Sequence, residues 1–284
     1  MLTEFFGPER PRRKYTTDAA EILMDRPVST ATVQTQRAQL FQISAEGKRV
    51  PVPAHHERVL FEREMYLCPH TFIDNEGKKV NEVYFWAGDE VPQTVVEDAY
   101  LFAARDARSF GGKLIKLSQG KETSEFLQAL GGIVIVRRGS SNKYDSLAPQ
   151  MLCGRRYLGQ VAFDEVDFSP LSMCSGFPYL ITQQGKCYLW KGKGSDVEEL
   201  GCARLVGMDL ALMGELLEIE EGSEPQSFWD VFGVGADLNT RPISADHWRL
   251  KPNYDKYSGR LFVANENASA SNKMQVSVLS AAFI

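Results

Sequence analysis

Apolar residues recur along this chain in two kinds of run, always in the same order. Val83-Tyr-Phe-Trp86 and Ile133-Val-Ile-Val136 are unbroken apolar runs of β-branched and aromatic residues, which predicts central strands covered on both faces. Between them, over 94–110, Val95, Ala99, Phe102, Ala103, Ala107 and Phe110 fall at three- and four-residue spacing. That spacing is the buried stripe of one helix, which Gly111-Gly112 ends. In the second half, Ser195 is placed to cap a helix whose first turn carries Asp196, Glu198 and Glu199, acids suited to the positive N-terminal end. Leu200, Ala203, Val206 and Leu210 form its buried stripe. Shorter helices are predicted near Glu122 and Pro225, with Phe126 and Phe228 turned inward. The fold class is α+β, a mixed β-sheet sandwiched between one long and one short helix.

The plan occurs twice. Val83-Tyr-Phe-Trp-Ala-Gly88 returns as Cys187-Tyr-Leu-Trp-Lys-Gly192, 104 positions later. Met65-Tyr-Leu-Cys68 returns as Pro178-Tyr-Leu-Ile181, 113 later, so the second hairpin is the shorter. Gln119-Gly-Lys-Glu-Thr-Ser-Glu-Phe126 matches Glu221-Gly-Ser-Glu-Pro-Gln-Ser-Phe228, 102 later. Blocks in constant order at nearly constant offset mark an internal repeat. A further echo links Gln39-Leu-Phe-Gln-Ile43, Tyr157-Leu-Gly-Gln-Val161 and Arg260-Leu-Phe-Val-Ala264. The expected organisation is a disordered or extended leader over 1–35, repeat one over 36–140, repeat two over 150–240, and an incomplete third repeat over 259–284. Polar, turn-rich stretches at 140–146 and 237–257 are the joints. In the broken third repeat, 261–264 and 276–279 are expected as unpaired strands.

Composition narrows the function. With 284 residues there is room for about two domains. A net charge of -5 supplies no field to attract phosphate backbones, which argues against nucleic acid. No stretch approaches the roughly 20 apolar residues of a membrane span, and the expected location is cytoplasmic. Five scattered cysteines and four histidines show neither disulfide nor metal-ligand spacing. No nucleophile, phosphate-loop or dinucleotide motif stands in its proper context: Gly233-Val-Gly235 follows a helix and lacks a third glycine. The expectation is a protein that is not an enzyme.

An apolar strand ending Trp-x-Gly, a long helix, then Gly-x-Glu-x-x-x-Phe and a Gly-Gly or Phe-Gly stop together resemble the gelsolin and villin repeat. Glu221-Gly-Ser-Glu-Pro-Gln-Ser-Phe-Trp-Asp-Val-Phe-Gly233 carries the pattern most completely, and the resemblance runs from about 36 to 264. Gln119-Gly-Lys-Glu-Thr-Ser, Ile133-Val-Ile-Val-Arg-Arg-Gly-Ser140 and 153–168 further resemble the gelsolin-repeat region that closes some large fungal proteins of unsettled function. The family resemblance implies actin binding at the actin cytoskeleton, with filament capping or side binding, weak severing, and calcium or phosphoinositides as regulators. The rival reading is a scaffold module without actin, because a fold is a weaker warrant than a site.

In actin-binding repeats of that family the outer side of the long helix enters an apolar cleft on actin. Carried onto repeat one, this implies a site of Asp98, Leu101, Arg105 and Arg108, with Tyr100 and Ala104 beside them and Leu101 at the aliphatic anchor position. The plainer reading is an ordinary exposed leucine. The second helix offers Arg204, Met208 and Ala211 outward. Its interior Gly201 and Gly207, each costing about 1 kcal/mol relative to alanine, are expected to pack against the neighbouring repeat.

Family calcium sites take a backbone oxygen and an Asp from the strand before Trp-x-Gly, plus a Glu from the long helix. Gly176 and Glu199 match in repeat two, but Phe177 stands where the Asp belongs. Glu64 matches in the strand of repeat one, but Val95 stands at the helix position, with Glu97 nearby. Calcium wants several oxygens, usually two or more of them charged, so binding is expected to be weak or absent and no cofactor is required. Arg137, Arg138, Arg155 and Arg156, with Lys186, Lys191 and Lys193, are candidates for a phosphoinositide patch, against the plainer reading of solvated surface charge.

Overall fold

The computed structural model describes residues 32–212 and 214–233, together with two later strands at Arg260–Ala264 and Val276–Ser280. Most of the leader and the joint at 237–257 lie outside the described residues. In chain order the elements are β1 (Gln34–Ala38), β2 (Phe41–Ile43), β3 (Arg49–Pro51), β4 (Val59–Phe61), β5 (Met65–Ile73), β6 (Lys79–Ala87), α1 (Gln93–Phe110), β7 (Lys113–Ser118), α2 (Ser124–Ala129) and β8 (Ile133–Arg137). The second half adds β9 (Gln150–Tyr157), β10 (Gln160–Val166), β11 (Pro178–Gln183), β12 (Lys186–Lys191), α3 (Val197–Leu210), β13 (Leu216–Glu220) and α4 (Gln226–Trp229). The two later strands are β14 and β15.

The fold is α+β. The first sheet runs β3-β2-β5-β6-β7, with β1 also on β5. Along β6 the side chains alternate, so Val83, Phe85 and Ala87 meet Val96, Ala99, Ala103 and Ala107 of α1, while Tyr84 and Trp86 meet Phe126 and Leu127 of α2. The predicted two-faced strand and the long and short helices are all present. The second half repeats this: β11 and β12 are antiparallel, β12 and β13 parallel, α3 packs on one face and α4 on the other.

Pairing of the motifs explains why they recur. The Trp86 indole N–H donates to Glu122 Oε1 at 2.9 Å, and the Trp190 indole N–H donates to Glu224 Oε1 at 2.8 Å. Each tryptophan also lies 5.7 Å from a tyrosine on the preceding strand, Tyr66 and Tyr179 respectively. The Trp-x-Gly strand is thus tied to the Gly-x-Glu turn in both copies, and Phe126 and Phe228 lock the short helix beneath it.

Burial pushes the Glu122 carboxyl above the ordinary range, although the N–H groups of Trp86 and Gly120 favour its charged form. The native state therefore binds the proton more tightly than the unfolded chain, and the penalty on charged Glu122 is full at neutral pH and vanishes below the unfolded value of about 4.3. Glu122→Gln keeps an oxygen for Trp86. We expect it to gain stability relative to the parent at pH 7, on the order of 1 kcal/mol, with that gain lost near pH 4. Urea denaturation at both pH values checks this, and a pH-independent difference would refute it.

Four expectations need correction. Ile133–Arg137 does not join the first sheet: β8 lies parallel to β10 and to β4, so both β4 and β8 belong to the seven-stranded sheet β13-β12-β11-β9-β10-β8-β4. Val134 and Val136 back onto the first core while Ile135 enters the second, so this strand is a shared wall between the halves. On α1 the buried stripe is Val96, Ala99, Ala103, Asp106 and Ala107; Val95 and Phe102 are only half-buried and Phe110 is exposed. Asp106 is tolerated there because Arg49 Nε lies 3.1 Å away, its guanidinium resting over the rings of Phe41 and Phe110. The cap of α3 is Asp196, in a reciprocal capping box with Glu199, not Ser195. Finally, β14 and β15 pair antiparallel with each other and are not left unpaired.

Candidate functional site

On α1, an 18-residue helix closed by Gly111 in the left-handed conformation, the outward residues are Asp98, Leu101, Arg105 and Arg108. Leu101 is 70% exposed and points away from both cores. Arg105 and Arg108 are also exposed, the former resting over the Phe102 ring at 5.4 Å. Ala104 is half-buried. Tyr100 is held inside its own unit, edge-on to Phe85 at 5.7 Å and beneath Lys116 Nζ at 5.4 Å. It is half-buried beside the outward row.

The corresponding face of α3 is more apolar. Val197, Leu205 and Met208 are 84%, 52% and 59% exposed, and Leu212, just past the helix end, is 57% exposed. With Gly201 they stand at intervals of three and four, which makes one continuous outer stripe. Sequence reasoning placed only Met208 there; the same spacing rule, applied to the residues left off the buried stripe, would have found the others. Arg204 is engaged within the unit by Glu218, whose carboxyl is held down at about 2 by Arg204 and Lys191. The two interior glycines differ. A Cβ on Gly207 would lie 2.8 Å from Leu216 of the same unit, whereas one on Gly201 would meet nothing within 4 Å. Neither packs against the neighbouring repeat.

The calcium candidates are occupied by protein. Glu199 is buried, its Oε1 accepting from the Arg156 N–H at 2.9 Å and its Oε2 from the Asp196 N–H at 2.8 Å. Glu64 precedes β5 and is not within it; it accepts from the Ser141 N–H and hydroxyl and from the Tyr66 hydroxyl, at 2.7, 2.6 and 2.6 Å. Gly176 sits in a buried turn before β11, donating its N–H to Cys174 Sγ. Among the described residues no group of three or more His, Cys, Asp or Glu side chains could hold a metal ion. The two candidate carboxylates serve a helix cap and a turn in this structure.

The four arginines do not form one surface. Arg137 is 3% exposed and donates to Gln150; Arg155 is buried and paired with Asp164. Arg138 pairs with Asp167 and Arg156 with Glu198. No helix among the described residues is long and apolar enough to cross a membrane.

The chain is similar to gelsolin and to advillin. It is 27% identical over 228 residues to gelsolin of Xenopus laevis, covering 77% of this chain and 52% of that protein. It is 28% identical over 192 residues to advillin of Mus musculus, covering 65% and 23%, and 23% identical over 266 residues to gelsolin of Gallus gallus, covering 85% and 33%. The chain thus spans about half or less of these relatives. Residues 39–138 match a family described as "Domain of unknown function (DUF7904)". A solved Thorarchaeota 2DGel3 complex with rabbit actin matches 69% of this chain and all of that chain at 19% identity, with a TM-score of 0.28, too low to bear on the fold. The similarity is to gelsolin and advillin, at 23% to 28% identity.

Proposed function

We propose that this chain is an actin-binding protein of the gelsolin and villin kind, working by filament capping or side binding through the outer faces of its long helices. The observation that carries the reading is the exposed anchor Leu101, flanked by Asp98, Arg105 and Arg108 on a helix whose opposite side is buried in the core. A lone aliphatic side chain among charges on a rigid helix suits insertion into an apolar groove. The similarity to gelsolin and advillin supports the identity of the partner. In this reading the chain holds two repeats and the opening of a third, acts at the actin cytoskeleton in the cytoplasm, and binds actin without calcium, because the acids at both candidate positions already accept protein hydrogen bonds.

Co-sedimentation with filamentous actin tests it. Saturable pelleting, equal in calcium and in chelator, is the expected result. Absence of pelleting together with unchanged pyrene-actin assembly would favour a scaffold without actin. The α3 stripe is expected to add to binding: Leu205→Asp should weaken pelleting several-fold, at an exposed position where folding stability changes by less than about 1 kcal/mol. Full-strength pelleting by this variant would confine the interface to α1.

A further inference from the structure

Where the two halves meet, a cavity of about 440 Å³ opens between β3, the β4–β8 pair and the end of α3. Its walls come from segments far apart in sequence: Val50, Val52, Phe61, Ile135 and Leu210 give an apolar side, and the exposed His55, His56, Arg58 and Asp209 also line it. One end is different. Arg137 lines it, two positions from Ile135 on the same face of β8, and is nearly inaccessible. Nη1 donates to Gln150 Oε1, and the guanidinium lies 4.5 Å from the centre of the Tyr144 ring. Among the described residues no carboxylate is within ion-pair distance of it, in contrast to Arg155, which has Asp164.

A buried guanidinium carries five N–H donors, and a buried charge without a contact ion pair is costly; the charge of Glu165 acts on it without reaching ion-pair distance. Of the acids in the lining, Glu64 is committed to Ser141 and Tyr66. Asp209 and Arg58 are exposed at the rim. Beside Gln150 across the sheet stands Thr182, which also lines the cavity and whose buried hydroxyl has no hydrogen-bond partner. Apolar walls with one convergent polar end are the usual build of a small-molecule site.

We propose that this cavity binds a small amphipathic monocarboxylate, its carboxylate on the fork of Arg137 and its apolar body between Phe61, Val52 and Leu210. The single buried cation selects a monoanion over a polyphosphate, and the fork geometry matches a carboxylate. Because the walls belong to both halves, the ligand would bridge them. The inference is independent of the actin reading.

Calorimetry and thermal unfolding with octanoate and with 1-octanol, a probe of equal chain length without charge, provide the test. Octanoate is expected to bind saturably at one site and to raise the melting temperature, with 1-octanol at least about tenfold weaker. Val50→Trp, at an exposed edge-strand position on the wall, should weaken octanoate about tenfold by filling the space, and Arg137→Met should erase the preference for the acid. Should Arg137→Met fail to fold, the acid-to-alcohol ratio of the parent and the Val50→Trp result decide the matter. Equal affinity for acid and alcohol, no saturable site, or undiminished binding to Val50→Trp would each overturn the proposal.

Discussion

Leu101→Asp is expected to remove co-sedimentation with filamentous actin while leaving the fold intact. The two halves of that expectation rest on different observations. Leu101 contributes nothing to either core, being 70% exposed, so the folding cost is limited to the helix propensity of aspartate, under about 1 kcal/mol. At an interface, an aliphatic anchor replaced by a charge loses its apolar burial and leaves a carboxylate facing a groove without a partner. A loss of 2 kcal/mol or more is typical of such a position, about 30-fold in affinity. Parent and variant are compared by pelleting over a range of actin concentrations, with thermal unfolding alongside. Unchanged pelleting would remove α1 from the interface. Lost pelleting with a collapsed melting temperature would show that Leu101 acts in the fold.

Most of the architecture was legible because burial imposes periods on the chain. The all-apolar run Val83–Trp86 had to be covered on both faces, and the stripe of 94–110 had to be helical. The destination of Ile133–Arg137 was not legible for the same reason: a strand apolar at every position carries no mark of which sheet its hydrogen-bonding edges enter, and here it serves two cores. The stripe read from spacing leaves out Asp106, whose burial is made tolerable by Arg49, distant in sequence. At the candidate site, Leu101 stood out because it interrupts the polar side of a well-marked helix. Glu64 and Glu199 match a calcium pattern by position; the N–H and hydroxyl donors they accept from were not legible, since Ser141 and Arg156 lie far from them in sequence. The cavity could not be read at all, since its lining gathers residues from β3 to the end of α3.

The clasp between the Trp-x-Gly strand and its neighbours yields the largest expected effect on stability. A Cβ on Gly88 would stand 2.2 Å from the Glu62 carbonyl oxygen, and one on Gly192 would stand 2.6 Å from the carbonyl oxygens of Ser175 and Phe177. In each case the obstacle is backbone, which cannot swing aside as a flexible side chain can. Near Gly88 that backbone is pinned further, because the Gly88 N–H donates to the Glu64 carbonyl and the Glu90 N–H to the Glu62 carbonyl. Gly88→Ala should therefore cost more than about 3 kcal/mol, at the upper end of what overpacking does, and Gly192→Ala somewhat less. Gly201→Ala is the internal control: with nothing within 4 Å of its Cβ and a helical backbone, it should stabilise by about 0.5–1 kcal/mol. Urea denaturation of the three variants measures all of this at once. Comparable stability of Gly88→Ala and Gly201→Ala would mean that the glycine is not required for the close approach of the strand to the loop before β5, and that the repeated Trp-x-Gly has another cause.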